Sequence, residues 1–323
     1  MQRNKITVAL DEARQVSFMD GLPTMDDGLA FYISQLAGLE STVYESKYTS
    51  INFAELVPVN TNVPEWVDSW DYISYDAVTL GKFIGASADD LPKVSLAATK
   101  TSVPVGYAGN MYDYTLDEMR KSQQLRIPLD TSKAKAAFRG SQEHTQRVAY
   151  FGDSERGMTG LFNNSNIQTD NSTVNWATAT GAEIVADMNG VLVKVWENSA
   201  NTHVPNTFAL DSTRYAQISS KRMDTGTDTT VLEFFLKNNL YTSLTGQPLR
   251  VVPRLQLKGA GVGGKDRMMA YELNEENLGM VNPIPWRPLA PQMKGLKVEV
   301  PCEYKVSGVE FRYPFSAAYR DHL

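Results

Sequence analysis

The stretch "RLQLKGAGVGGKDRMMAYEL" sets Gly259, Gly261 and Gly264 at the spacing G-x-G-x-x-G, with Gly263 between them and Lys265 directly after. Such residues can hold a phosphate. Glycines let backbone N–H groups close around the anion, a following helix adds its positive end, and lysine supplies a full charge. Here the helix is missing: Met268, Met269, Ala270, Tyr271 and Leu273 form a short apolar run that reads as a strand. "LRVVPRLQL" on the other side, with Val251, Val252, Leu255 and Leu257, reads the same way. The expectation is a hairpin of two antiparallel strands with the glycines at a mobile tip. A phosphate loop would also need Ser or Thr after the lysine to hold magnesium, and Asp266 stands there instead, where it repels phosphate.

Other reactive residue types are scattered. Ser154, in "GDS", lacks a glycine pair for an oxyanion turn, and His144, a helix away, has no evident third partner. His144, His203 and His322 lack a zinc spacing, and the single cysteine, Cys302, excludes an internal disulfide. The carboxylate pairs Asp26–Asp27, Asp89–Asp90 and Glu275–Glu276 are adjacent in loops or at helix starts, whereas acid–base pairs oppose each other across a substrate. No metal or cofactor is expected.

The whole chain has 323 residues, 42% hydrophobic and 21% charged, enough to bury a core in one or two domains. Its net charge of −6 disfavours tight binding to nucleic acid. Asp11 and Glu12 interrupt the first apolar run before a signal-peptide core is complete, and no window approaches 18 apolar residues, so the expectation is a cytosolic chain without a membrane span. The sequons at Asn163 and Asn171 then read as polar loops.

The elements that must carry these residues are easier to read. Leu29, Tyr32, Ile33, Leu36, Leu39 and Val43 recur at helical spacing over 27–46 and need a partner surface. From 51 to 110 the pattern is extended, as in "NFAELVPVN", "WVDSWDYISYDAVTLGKFIG" and "KVSLAATKTSVPVGY". The last two runs flank "ASADDLP" and predict a long β-hairpin, which buries little against its own chain. "TLDE" at Thr115 to Glu118 is a capping box. After Pro128 a second helix is expected, capped by Asp130, with Ala134, Phe138, Ser141, Thr145 and Val148 on one face and Lys135, Arg139, Glu143 and Arg147 on a solvated one, ending at Gly152. A polar stretch puts a boundary near 175. An α/β unit follows, with capping boxes at Thr180 and Thr230, a cap at Asp211 and a buried strand in "NTFALD". The end of the chain returns to strands, and there is no internal repeat.

This order of parts, with "ADDLP" (88–92), "IPLDTSKAKAAFRGSQEHTQRVAYFGD" (127–153), "GMTGLFN" (157–163) and "GVEFRYPFSAAYRD" (308–321), resembles the major capsid proteins of tailed phages. The resemblance implies an α+β chain of the HK97-like fold. Its parts would be an N-terminal arm (1–50), an extended hairpin or E-loop (51–108), a peripheral domain with a long spine helix (109–175 and 286–323) and an axial α/β domain (176–285). It implies a structural protein and no enzyme. Copies would form pentamers and hexamers of an icosahedral head enclosing double-stranded DNA without sequence-specific binding, in a virion assembled in the host cytoplasm. Portal, scaffold and decoration proteins would be further partners. Subunit contacts are expected at Asp89, Asp90 and Leu91 of the hairpin tip and at Leu29, Tyr32 and Leu36 of the arm. Gly259, Gly261, Gly263, Gly264 and Lys265 become a flexible loop of the axial lobe. An encapsulin-type compartment, and an enzyme using the loop at 259–265 for a nucleotide, remain as alternatives.

Overall fold

Leu56 and Val57 are consecutive and both fully buried. A strand would turn them to opposite faces. The chain instead makes a 3-10 turn at Phe53–Glu55 and reaches strand β1 only at Val59–Asn60, so the strand expected over "NFAELVPVN" shrinks to its end. The computed structural model describes residues 50–78, 95–125, 129–224 and 226–321. Ile51–Leu323 form one compact unit, and the expected helix at 27–46 lies outside the described residues.

Strand β2 (Ser69–Val78) pairs antiparallel with β3 (Ser95–Thr115), from Ser69 opposite Pro104 to Val78 opposite Ser95. These are the two sides of the expected hairpin; its tip, with Asp89, Asp90 and Leu91, lies outside the described residues. β3 does not end with the hairpin. From Val105 to Thr115 it pairs with residues 297–307, and Pro104, which has no N–H to give, sits at the changeover.

Helix α1 (Leu116–Leu125) starts at the expected box: Thr115 Oγ1 accepts from the Glu118 N–H at 3.1 Å, and the Thr115 N–H donates to Glu118 Oε2 at 3.0 Å. Helix α2 (Leu129–Phe151) begins one residue before Asp130, which therefore stands in its first turn and not at the residue preceding it. Ser141, Thr145 and Val148 are buried on its inner face as expected, but Phe138 is 47% exposed, edge-on to Trp286. Gly152 ends the helix at φ +66°, where a Cβ would lie 2.1 Å from the Met158 carbonyl oxygen.

After β4 (Gln168–Asn171), helix α3 (Gly181–Asn198) has the complete Thr180–Glu183 box, and β5 (Thr207–Leu210) is buried at every residue. Asp211 caps α4 (Ser212–Ser220). At α5 (Val231–Lys237) only half of the expected box forms, since Thr230 accepts from the Glu233 N–H while the Glu233 carboxylate pairs with Lys237 at 2.7 Å. Helix α6 (Leu240–Thr245) follows, then the strands β6 (Arg250–Pro253), β7 (Arg267–Tyr271), β8 (Leu278–Val281), β9 (Ile284–Pro288), β10 (Gln292–Lys294), β11 (Lys297–Ser307), β12 (Val309–Phe311) and β13 (Ala317–Asp321).

Among the described residues three sheets result, ordered β1-β8-β12, β10-β11-β3-β2 with β9 also on β11, and β4-β13-β7-β5-β6. The third corrects the expected glycine hairpin. β5 lies between β6 and β7, pairing parallel with the first and antiparallel with the second. The physical reason is burial: "TFAL" has no exposed residue, so it takes an interior place in the sheet, and the glycine segment must cross over it. β7 also divides the interior. Met269 and Tyr271 join one core with Val148, Tyr150, Phe162 and Phe311, while Met268 and Ala270 join another with Ile184, Met188, Phe208 and Phe235.

Candidate functional site

The glycine segment does bind an anion, and that anion belongs to the protein. Asp321 at the end of β13 stands opposite Arg267 at the start of β7 in the ladder. Arg267 Nε reaches Asp321 Oδ1 at 2.7 Å and Nη2 reaches Oδ2 at 3.0 Å, with both side chains buried. The guanidinium lies 4.5 Å from the Tyr319 ring centroid and donates through Nη1 to the Phe162 carbonyl at 2.6 Å. Against this pair the loop closes: the Val262 N–H donates to Asp321 Oδ2 at 2.8 Å. Gly261 is needed there because a Cβ would lie 2.6 Å from the Asp321 carboxyl carbon.

Three more loop amides are occupied by the protein itself. Gly261 N–H donates to the Lys265 carbonyl at 2.8 Å, Gly264 N–H to the Gly261 carbonyl at 3.1 Å and Gly259 N–H to Asp266 Oδ1 at 3.2 Å. Asp266 is held in turn by Arg214 at 3.4 Å. Gly259, Gly263 and Gly264 all take positive φ, so the loop is bent by its glycines but fastened at both ends. It leads into strand β7, and no helix dipole points at it.

Nothing assembles around Ser154. It is exposed in the 3-10 turn Ser154–Arg156, and His144 Nδ1 is bonded to the Tyr304 hydroxyl at 2.8 Å. Glu275 and Glu276 are exposed side by side, His203 pairs with Glu272 at 2.6 Å, and Cys302 is buried. Among the described residues, no group of three or more His, Cys, Asp or Glu could hold a metal, and no helix is long and apolar enough to cross a membrane. His322, the pairs Asp26–Asp27 and Asp89–Asp90, and the expected contact residues Leu29, Tyr32, Leu36, Asp89, Asp90 and Leu91 lie outside the described residues.

The structure brings together one surface feature that sequence reading missed. Trp66 is 80% exposed, yet the turn that carries it is held on both sides. Glu65 takes a two-pronged bond from Arg287, 2.8 Å on each arm, and Arg287 Nε reaches Glu303 at 2.7 Å. On the other side Asp68 pairs with Lys305 at 3.0 Å, and Val63 and Val67 pack beneath with Val105 and Val281. The Arg287 hydrogen bond holds the Glu65 carboxyl below its ordinary range. The run "WVDSWDYISYDAV" reads as strand throughout, which hides this turn; Pro64 was the available signal.

The fold and its surfaces can now be set beside known proteins. The family described as "Major capsid protein" matches residues 81–323. The chain belongs to that family. As a major capsid protein it is a structural component of a capsid shell and not an enzyme, found in the virion capsid as one of many copies. Its solved structural relatives share the HK97-like fold at low sequence identity. The capsid of Myoviridae phage XM1 is 16% identical with a TM-score of 0.76, covering 94% of this chain and all of that one. The capsid of a native GTA particle is 12% identical with a TM-score of 0.59, covering 88% and 93%. Mycobacterium phage Ogopogo gives 11% and 0.57, covering 90% and 99%. No curated protein matches the sequence of this capsid protein.

Proposed function

We propose that this capsid protein builds the icosahedral head of a tailed bacteriophage, its copies forming pentamers and hexamers through head-to-tail contacts that close by rotation. The hairpin of β2 and β3 is the observation that supports this reading above all. Among the described residues β2 pairs only with β3, Ile73 on it is mostly exposed, and a two-stranded ribbon is marginal unless something lies against it. A neighbouring copy is the partner always at hand in a shell.

In this reading residues 1–50 act as an arm, 51–108 as the extended loop, 109–175 with 286–323 as a peripheral domain and 176–285 as an axial one. Leu29, Tyr32, Leu36, Asp89, Asp90 and Leu91 contribute subunit contacts, and the glycine segment at 259–265 belongs to the axial lobe. The net charge of −6 suits a wall that encloses double-stranded DNA without gripping it. Assembly takes place in the host cytoplasm, with portal, scaffold and decoration proteins as further partners. Electron microscopy of the expressed full chain, with scaffold supplied where needed, tests the proposal. Closed shells with pentameric vertices are expected. A chain that stays monomeric in every assembly condition overturns it, and uniform shells that load protein cargo and exclude DNA would favour an encapsulin-type compartment.

A further inference from the structure

The glycine segment is fastened to the body, yet its outer side is bare and basic. Val262, whose amide is spent on Asp321, is 71% exposed, and Leu255 in the 3-10 turn just before the loop is exposed as well. Lys258 and Lys265 flank the loop, whose ends are drawn together by the bonds from Gly259 N–H to Asp266 and from Gly261 N–H to the Lys265 carbonyl. Among the described residues neither lysine meets a carboxylate, and the acids beside the loop are taken, Asp266 by Arg214 at 3.4 Å and Asp321 by Arg267 at 2.7 Å. The result is a rigid apolar crown with two uncompensated positive charges.

The turn at Pro64–Asp68 is its counterpart. Trp66 is as bare as Val262, and the turn is held as firmly, by Arg287 on Glu65 and by Lys305 on Asp68. Here the balance of charge is reversed: the carboxylates of Glu65, Glu303 and Asp68 share two cations, which leaves one negative charge over. That charge is open to solvent, since the Asp68 side chain is 88% exposed and Lys305 reaches it through Oδ1. Within one chain the two features do not cover each other, because Trp66 and Val262 are both mostly bare.

We infer that the glycine loop of one copy docks on the Trp66 turn of the next, with Val262 and Leu255 against the indole and Lys258 and Lys265 toward Asp68 and Glu65. Both elements are already fixed, so their apolar surface is covered with little loss of loop freedom. Opposite surplus charges select this pairing and disfavour loop on loop or turn on turn. Two different patches meet, so the contact is head-to-tail and repeats around a ring. This docking rests on the head proposed above and supplies one of the contacts that join its copies.

Carbodiimide coupling of assembled full-length shells tests it, since the reagent forms an amide only where a carboxylate and an ammonium touch. Peptide mass spectrometry should find Glu65 or Asp68 joined to Lys258 or Lys265 in shells and not in the unassembled chain. Replacing both lysines by glutamate should raise the concentration needed for assembly about tenfold without moving the melting curve of the unassembled chain, and replacing both by arginine should restore it. Shells without the linkage, linkage already present in the unassembled chain, or a glutamate pair that assembles at the wild-type concentration overturns the docking and leaves the head standing. Failure of the unaltered chain to form shells in any condition overturns the head, and the docking with it.

Discussion

Arg267 and Asp321 form a buried, two-pronged ion pair across neighbouring strands, and the Val262 amide shares the same carboxylate. The contact joins the end of the chain to a loop 59 residues earlier. It turns a sequence that looks like a ligand site into a structural fastening.

Removing one partner should therefore be severe. Asp321→Ala leaves a buried guanidinium without its counter-charge and should lower stability by about 3–5 kcal/mol, measured by urea denaturation of the unassembled chain. Gly261→Ala, whose Cβ would stand 2.6 Å from the Asp321 carboxyl carbon, should lose about 1–3 kcal/mol by the same measurement. Neutral outcomes in both would mean that the loop is not fastened in this way.

No nucleotide should bind. Calorimetry with ATP or a dinucleotide is expected to give no heat beyond dilution for the wild type and for Lys265→Ala alike. Micromolar binding that disappears in Lys265→Ala would contradict the assignment of the loop amides to protein acceptors.

Trp66 should matter for assembly and little for folding. Its side chain is bare, so Trp66→Ala should change the unfolding free energy by no more than about 0.5 kcal/mol. An aromatic anchor lost from an interface typically weakens association by 1.4 kcal/mol or more, roughly tenfold. Light scattering against concentration reads the shift, and an unchanged assembly threshold would remove Trp66 from the contact.

Residues 51–323 form a compact unit, so deletion of 1–46 should leave circular dichroism and the melting curve close to those of the full chain while shell closure fails. Replacing Asp89 and Asp90 together by alanine should likewise impair assembly more than folding. Mass photometry beside melting curves separates the two effects, and truncated chains closing shells as readily as intact ones would exclude an arm contact.

Glu310 gives stability a pH dependence whose sign is fixed by the direction of its shift. Its carboxyl is raised from 4.5 to about 7 in the folded chain, so the folded state holds the proton more tightly than the unfolded one. Its destabilising effect is absent below about 4.5, grows as pH rises to about 7 and is complete above that. Glu310→Gln should therefore be more stable than wild type at pH 8, on the order of 2–3 kcal/mol, and the gap should close by pH 4.5. A gap independent of pH would refute the assignment.

What the sequence made legible was local. Capping boxes at Thr115 and Thr180, the cap at Asp211, the stop at Gly152 and the extended runs of β2 and β3 each depend on neighbours a few residues away, and each appears in the structure. The errors share a different origin. The glycine hairpin failed because the order of strands is decided by β5, about 50 residues upstream, whose complete burial places it inside the sheet. The seat of Asp321 under the loop was invisible for the same reason: its partners lie at 262 and 267, and nothing in "YRDHL" signals them. Trp66 looked like strand because exposure is a property of the finished surface.

The 21-residue strand β3 belongs to two ladders, and this has a mechanical side. Its first half carries the hairpin and its second half runs beside β11 over Val105–Thr115. A pull on the hairpin along its length reaches β11 as shear, shared by all of those paired positions at once, and does not unzip them one after another. A shell wall stitched from such strands would stiffen under stretch where a hinged loop would give way.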